Sequence, residues 1–140
     1  SRAHMEREYI DAMREHLATL AEELDLLHQA SAEPGGLNAL LYRAAERNLQ
    51  LLTEACIGIA KQRLKSLGKV VPSDARQVFN KLHGLGHDSS GTPWHKVIGL
   101  RNALVHDYLN LDAEIVKSVI RHRDYHTLIA FAEEQLQAET

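Results

Sequence analysis

Apolar residues recur every three or four positions along almost the whole chain, and nowhere do they alternate over the length of a strand. That period places them on one stripe of a helix, whereas alternation would place them on one face of a sheet. The chain is therefore constrained to an all-α fold. In the first candidate helix, roughly residues 6–30, the stripe is Ile10, Met13, Leu17, Leu20, Leu24 and Leu27. Pro34-Gly35-Gly36 stops it. The second runs roughly from 37 to 67, with Leu41, Ala45, Asn48, Leu52, Ala55, Cys56 and Ile59 on its stripe and Gly68 closing it. A short third helix, with Ser73 as its expected N-cap, carries Ala75, Val78, Phe79 and Leu82.

The fourth helix has the strongest start signal, Thr92 as N-cap and Pro93 at the first helical position, and is expected to reach Asp107. Asp112 caps a fifth helix expected to continue past Phe131. The expected architecture is one antiparallel bundle of about five helices joined by short loops. Aromatics are only 5% of the residues, so its core must be aliphatic. The length of 140 residues suits one domain. Ser1-Arg2-Ala3-His4 before Met5 reads as a vector remnant, which leaves 5–140 as the domain.

A net charge of -3 excludes a globally basic nucleic-acid binder, but not a local basic patch. Cys56 is the only cysteine, so no internal disulfide can form, and a reducing cytoplasm is the expected setting. The expectation is also that the chain has neither a membrane span nor an apolar signal core.

Chemistry concentrates in Trp94 to Leu111, WHKVIGLRNALVHDYLNL. At 100° per residue, Trp94, Val97, Ile98, Arg101, Leu104, Val105 and Tyr108 fall on one arc of roughly 120°. Arg101 thus lies within an apolar face, where a cation must be paired or must look into a polar cleft. Asn102 and His106, four apart, share an adjacent face. In a structural reading, Arg101 pairs with Glu46 or Glu54 of the second helix and His106 caps its own helix. In a catalytic reading, the same residues suit RNA cleavage. That reaction needs a base for the 2′-hydroxyl, an acid for the leaving oxygen and fixed positive charge for the phosphate. Histidine can fill either proton role and arginine grips phosphate with a planar fork. One helix supplies one histidine, and a twofold dimer would supply two.

Arg101, four residues, His106, one residue and Tyr108 make an R-x4-H-x-Y motif, set in the run GLRNALVHDYLNL. In this motif, its place on the penultimate helix, and its length and helix order, the chain resembles the HepT toxins among the HEPN-domain ribonucleases. The resemblance implies a homodimeric, metal-independent ribonuclease without cofactor, acting on cellular RNA, in some cases tRNA. It implies Arg101, Asn102 and His106 as catalytic residues. It also implies an MntA-like nucleotidyltransferase antitoxin that transfers AMP onto Tyr108 and silences the toxin. Read as a continuous helix, Tyr108 falls nearly two turns beyond Arg101 on the same face, so a transferred AMP would sit where an RNA phosphate binds. The alternative is a helical module that holds a nucleotide or partner and cuts nothing, and beyond that a plain scaffold.

Other signals are weaker. Lys61, Arg63, Lys65 and Lys69 lie in an acid-free run and could contact an RNA backbone or simply complement the helix dipole. Arg121 and Arg123 could line the motif's cleft. The acid-rich first helix could face a partner. His83 with His87, and His122 with His126, have metal-ligand spacing but no third ligand nearby, so surface histidines are expected and no metal site. Cys56 is expected to be an inert core thiol.

Overall fold

The structure, a computed structural model, describes residues 4–140. Among these residues it is all-α, with no strand: α1 (Arg7–Ser31), α2 (Ala39–Ser66), α3 (Ala75–Gly84), α4 (Trp94–His106), a 3-10 turn (Tyr108–Asn110), α5 (Ala113–Arg121) and α6 (His126–Ala138). No described helix is long and apolar enough to cross a membrane.

Helix α2 is the centre, packing against each of the other five helices. Its sequence explains this. The apolar stripe read from periodicity widens in its second half, where Ala55, Cys56, Ile57, Ile59 and Ala60 are all buried. A helix apolar over more than one face must be covered from several sides. Small side chains there also let neighbouring helices approach closely. Asn38 caps α2 through Leu41 N at 2.9 Å, and Asp112 caps α5 through Glu114 N at 2.9 Å. In α3 the cap is Asp74, through Gln77 N at 3.1 Å, not Ser73. Gly68, at φ 73°, closes α2 in the left-handed conformation that a helix C-terminus favours.

The expected fifth helix is two. Between them Arg123 takes φ 56°, with Arg123 N on Ile120 O (3.3 Å) and Asp124 N on Val119 O (3.0 Å). This is a Schellman stop built on a residue other than glycine. Nothing local announces it, because 113–138 contains neither Gly nor Pro. The corner is held from outside. The buried Tyr125 donates to Asp25 Oδ1 at 2.7 Å, which fastens the start of α6 to α1. That bond, ahead of the nearby His126 and Arg123, holds the Asp25 carboxyl below its usual range. Arg123→Gly should remove left-handed strain of about 1 kcal/mol and raise the melting temperature by a few degrees. A lower melting temperature would show that the Arg123 charge near Asp25 matters more than the strain.

Candidate functional site

The motif helix α4 is anchored at its start. Trp94 stacks on Phe79 with ring centroids 3.7 Å apart, meets Phe131 edge-on at 4.8 Å, and donates through Nε1 to the buried Asp88 at 2.7 Å. Asp88 also receives Ser90 N (3.0 Å) and Ser90 Oγ (2.6 Å), so one carboxylate ties the preceding loop to the helix. The helix begins at Trp94, with Pro93 in the cap position and no side-chain cap, instead of being capped by Thr92. Beyond the buried Ile98 the helix rides up from the core. Leu100, Arg101, Asn102 and Leu104 are half-buried, and Val105 and His106 are exposed.

Arg101 is paired. Its Nη1 donates to Glu54 Oε1 of α2 at 2.8 Å. Of the two carboxylates suggested by the sequence, Glu54 takes this role. Glu46 instead lies by Tyr42, whose hydroxyl is pushed up to about 12 by burial and then by the charge and hydrogen bond of Glu46. The Arg101 side chain is 22% exposed and Glu54 43%, so the pair is worth no more than about 1 kcal/mol to the fold. It orients the guanidinium more than it stabilises the protein. Arg101 Nε is buried with no hydrogen-bond partner among the described residues.

His106 is the last residue of α4. Asp107 then leaves helical geometry (φ -148°, ψ 35°) and its side chain accepts from Asn110 Nδ2 at 2.7 Å. This local side-chain turn competes with helix continuation. It corrects the reading of Tyr108, which belongs to the 3-10 turn and does not continue the Arg101 face of α4. The Tyr108 side chain lies outside what the structure describes. Arg101, Asn102 and His106 do share one helix, with a turn and a half between Arg101 and His106.

The remaining candidates are not brought to the motif. Arg63 is buried, 6% exposed, and ion-paired with Glu139, so it is removed from the basic run as an RNA contact. Lys61 is half-buried and Lys65 exposed, two and three turns past Glu54 on α2. Arg121 is exposed at the end of α5. Arg123 lines an apolar cavity of about 550 Å³ beside the first half of α4, together with Lys96, Val97 and Leu100, and not the end that carries His106. Neither histidine pair sits on a continuous helix. His87 lies beyond the end of α3, and the α5–α6 corner separates His122 from His126. No group of three metal-ligating side chains occurs among the described residues. Cys56 is fully buried, and burial pushes its thiol well up.

Sequence reasoning missed the flank of the motif. The N-terminal half of α2, Leu109 and Leu111 after the motif, and Lys117 of α5 enclose a depression of about 480 Å³ over Tyr42, Arg43 and Glu46. A second of about 260 Å³ adjoins it, lined by Arg43, Glu46, Arg47, Gln50 and Leu104. The signal was present as the four-residue spacing of Arg43 and Arg47, but which neighbour that face meets is set only by packing.

A relative named mRNA nuclease HepT, from Shewanella oneidensis, is 39% identical over 79 residues, covering 54% of this chain and 58% of that protein. The match thus spans less than two thirds of that relative. A chain in a crystal structure of a toxin–antitoxin with AMP-PNP has the same fold, with a TM-score of 0.75 at 26% identity, covering 92% of this chain and 99% of that one. The family described as ribonuclease HepT-like matches residues 7–135, which include all of α4 and the motif. With its six-helix fold and its Arg101–His106 helix, the chain belongs to the ribonuclease HepT-like family.

Proposed function

We propose that this chain is the toxin of a toxin–antitoxin pair and cleaves cellular RNA without a metal. The observation that carries the reading is α4 itself, which holds Arg101, fixed by Glu54 at 2.8 Å, and an exposed His106 a turn and a half later. Arg101 clamps the phosphate, His106 transfers protons, and Asn102 orients the substrate. The relative's name, mRNA nuclease, favours RNA as the substrate class.

A homodimer completes the site by bringing a second His106 to the same cleft. Val105, Leu109 and Ile115 are exposed at 42%, 84% and 48%, and they leave apolar surface next to the motif for a second copy to cover. A nucleotidyltransferase antitoxin of the MntA kind switches the toxin off by placing AMP on Tyr108. The added phosphate brings negative charge and bulk to the turn after His106 and repels an incoming RNA backbone. The fold shared with a toxin–antitoxin chain supports the partnership. The setting for both partners is the cytoplasm.

One experiment tests the whole reading. The purified protein is incubated with total RNA in EDTA, before and after treatment with the nucleotidyltransferase, ATP and magnesium followed by chelation. Untreated protein should cleave, and treated protein should gain AMP mass and stop cleaving. Tyr108→Phe should keep at least part of its cleavage and take up no AMP. Cleavage that vanishes with chelator counts against the metal-free mechanism. AMP mapped to Tyr42, Tyr125 or a serine removes Tyr108 from the switch.

A further inference from the structure

We infer that Arg43 and Arg47, with the depression over Tyr42, form the track along which single-stranded RNA reaches Arg101. The inference rests on the ribonuclease reading and extends it to the nucleotides beside the cleaved bond. On α2, Arg43, Arg47, Gln50 and Glu54 follow one another at spacings of four, three and four residues, so they form one stripe on one face. One turn, ~6 Å, separates Arg43 from Arg47, and ~10 Å more leads to Glu54. There the stripe meets Arg101. Each step is comparable with a backbone step or two of an extended strand. The two depressions share Arg43 and Glu46, and Leu104 of α4 walls the second, so the surface is continuous from the Tyr42 floor to the motif helix.

Charge on this face is distributed in a way that suits a polyanion. Of the acids near it, Glu54 pairs with Arg101, Glu114 lies 3.7 Å from Lys117, and Asp112 caps α5 through Glu114 N at 2.9 Å, while Glu46, beside Tyr42, lines both depressions between the cations. Arg43 and Arg47 are exposed and have no carboxylate partner among the described residues. Arg43 makes only a long 3.5 Å bond to Ala39 O of its own helix. Two unpaired guanidinium groups one turn apart offer consecutive phosphate ligands. At the outer end, Tyr42 presents a half-buried ring with the Lys117 ammonium 6.0 Å from its centroid. An aromatic floor with cations beside it is a platform for an unpaired base. The 480 Å³ depression is in the size range of a small-ligand site, room for one nucleotide. Lys61 and Lys65, seven and eleven residues past Glu54, continue the same stripe on the far side of Arg101, whereas Arg63 points to the opposite, buried face.

The test measures RNA binding apart from cleavage, in a His106→Ala parent that leaves the probe intact. The probe is a fluorescein-labelled single-stranded oligoribonucleotide of about 12 nucleotides, followed by anisotropy over a salt series. Adding Arg43→Gln and Arg47→Gln should weaken binding about tenfold or more and reduce the log–log salt slope by about 1.4, at about 0.7 for each lost phosphate contact. A control that removes the same formal charge elsewhere, Arg7→Gln with Arg14→Gln on the acid-rich α1, should change neither. If the parent binds RNA and the Arg43/Arg47 variant binds it with the same affinity and slope, the track is wrong while the ribonuclease reading stands. If the parent binds no RNA and the wild type cleaves none, the underlying reading fails and the track with it. If light scattering shows that the Arg43/Arg47 variant turns a dimer into monomers, the stripe is an interface between copies and not a track.

Discussion

His106→Ala is expected to lower RNA cleavage by roughly 100- to 10,000-fold, the range over which a positioned acid or base acts. Arg101→Ala should cost on the order of 100- to 1,000-fold, because it removes fixed charge from the crowded phosphate. Neither loss should come from unfolding. His106 is exposed at the end of α4, and Arg101→Ala leaves Glu54 43% exposed and able to meet water. Asn102→Ala should be milder, since an amide can orient but cannot carry a proton or a charge. Arg101→Lys should recover only part of the rate, because an ammonium keeps the charge but loses the planar fork. Initial cleavage rates, with far-UV circular dichroism on the same samples, decide the matter. Full activity in His106→Ala sinks the mechanism.

The largest effect on stability is expected far from the motif, at Glu139. This carboxylate, 1% exposed, accepts from Arg63 Nη1, from Ser66 Oγ at 2.5 Å and from Met5 N at 3.2 Å. It therefore joins both ends of the described chain to the end of α2. Glu139→Ala leaves the guanidinium of Arg63, 7% exposed, without its carboxylate, a change that typically costs 3–5 kcal/mol. For a domain of ordinary stability that is about a fifth or more of the total. Urea unfolding at neutral pH should show it, with Glu139→Gln falling between the variant and the wild type because the amide still accepts from Ser66.

The same site predicts an acid limit. Burial acts to raise the Glu139 carboxyl, but the bonds from Ser66, Met5 and Arg63 outweigh it, and the group lies below its ordinary value of 4.5. A carboxyl depressed in the folded state adds stability that is fully present above its unfolded pKa and disappears as pH falls through the folded one. Wild type should therefore lose stability below about pH 4.5, and the gap between wild type and Glu139→Gln should narrow over that range. A gap that stays constant would mean that folding does not shift the Glu139 carboxyl, and one that widens toward acid would mean that Glu139 is protonated in the folded protein.

Local sequence determined the helices and the part of the site that lies on one of them. The three- and four-residue period of Leu, Ile and Ala positions named most of the buried residues of α1, α2 and α3, because a helix repeats every 3.6 residues whatever surrounds it, but on α4 only Trp94 and Ile98 of the expected face are buried. Asp112 as a cap, and Arg101, Asn102 and His106 on a single helix, were legible for the same reason. The apolar setting of Arg101 also left it two choices, a partner or a polar cleft.

Only the tertiary structure decided the partners and the breaks. Glu54 and not Glu46 meets Arg101 across 47 residues of chain, and Glu139 draws Arg63 into the core across 76. The α5–α6 corner at Arg123 is fastened by Tyr125 to Asp25, 100 residues away. Each of these depends on which helices pack side by side, and the period of a single helix carries no information about its neighbour. The end of α4 was misread for a different reason. Projecting Tyr108 onto the Arg101 face assumed that the helix continued, whereas the turn between Asp107 and Asn110 offers the backbone another way to satisfy its hydrogen bonds.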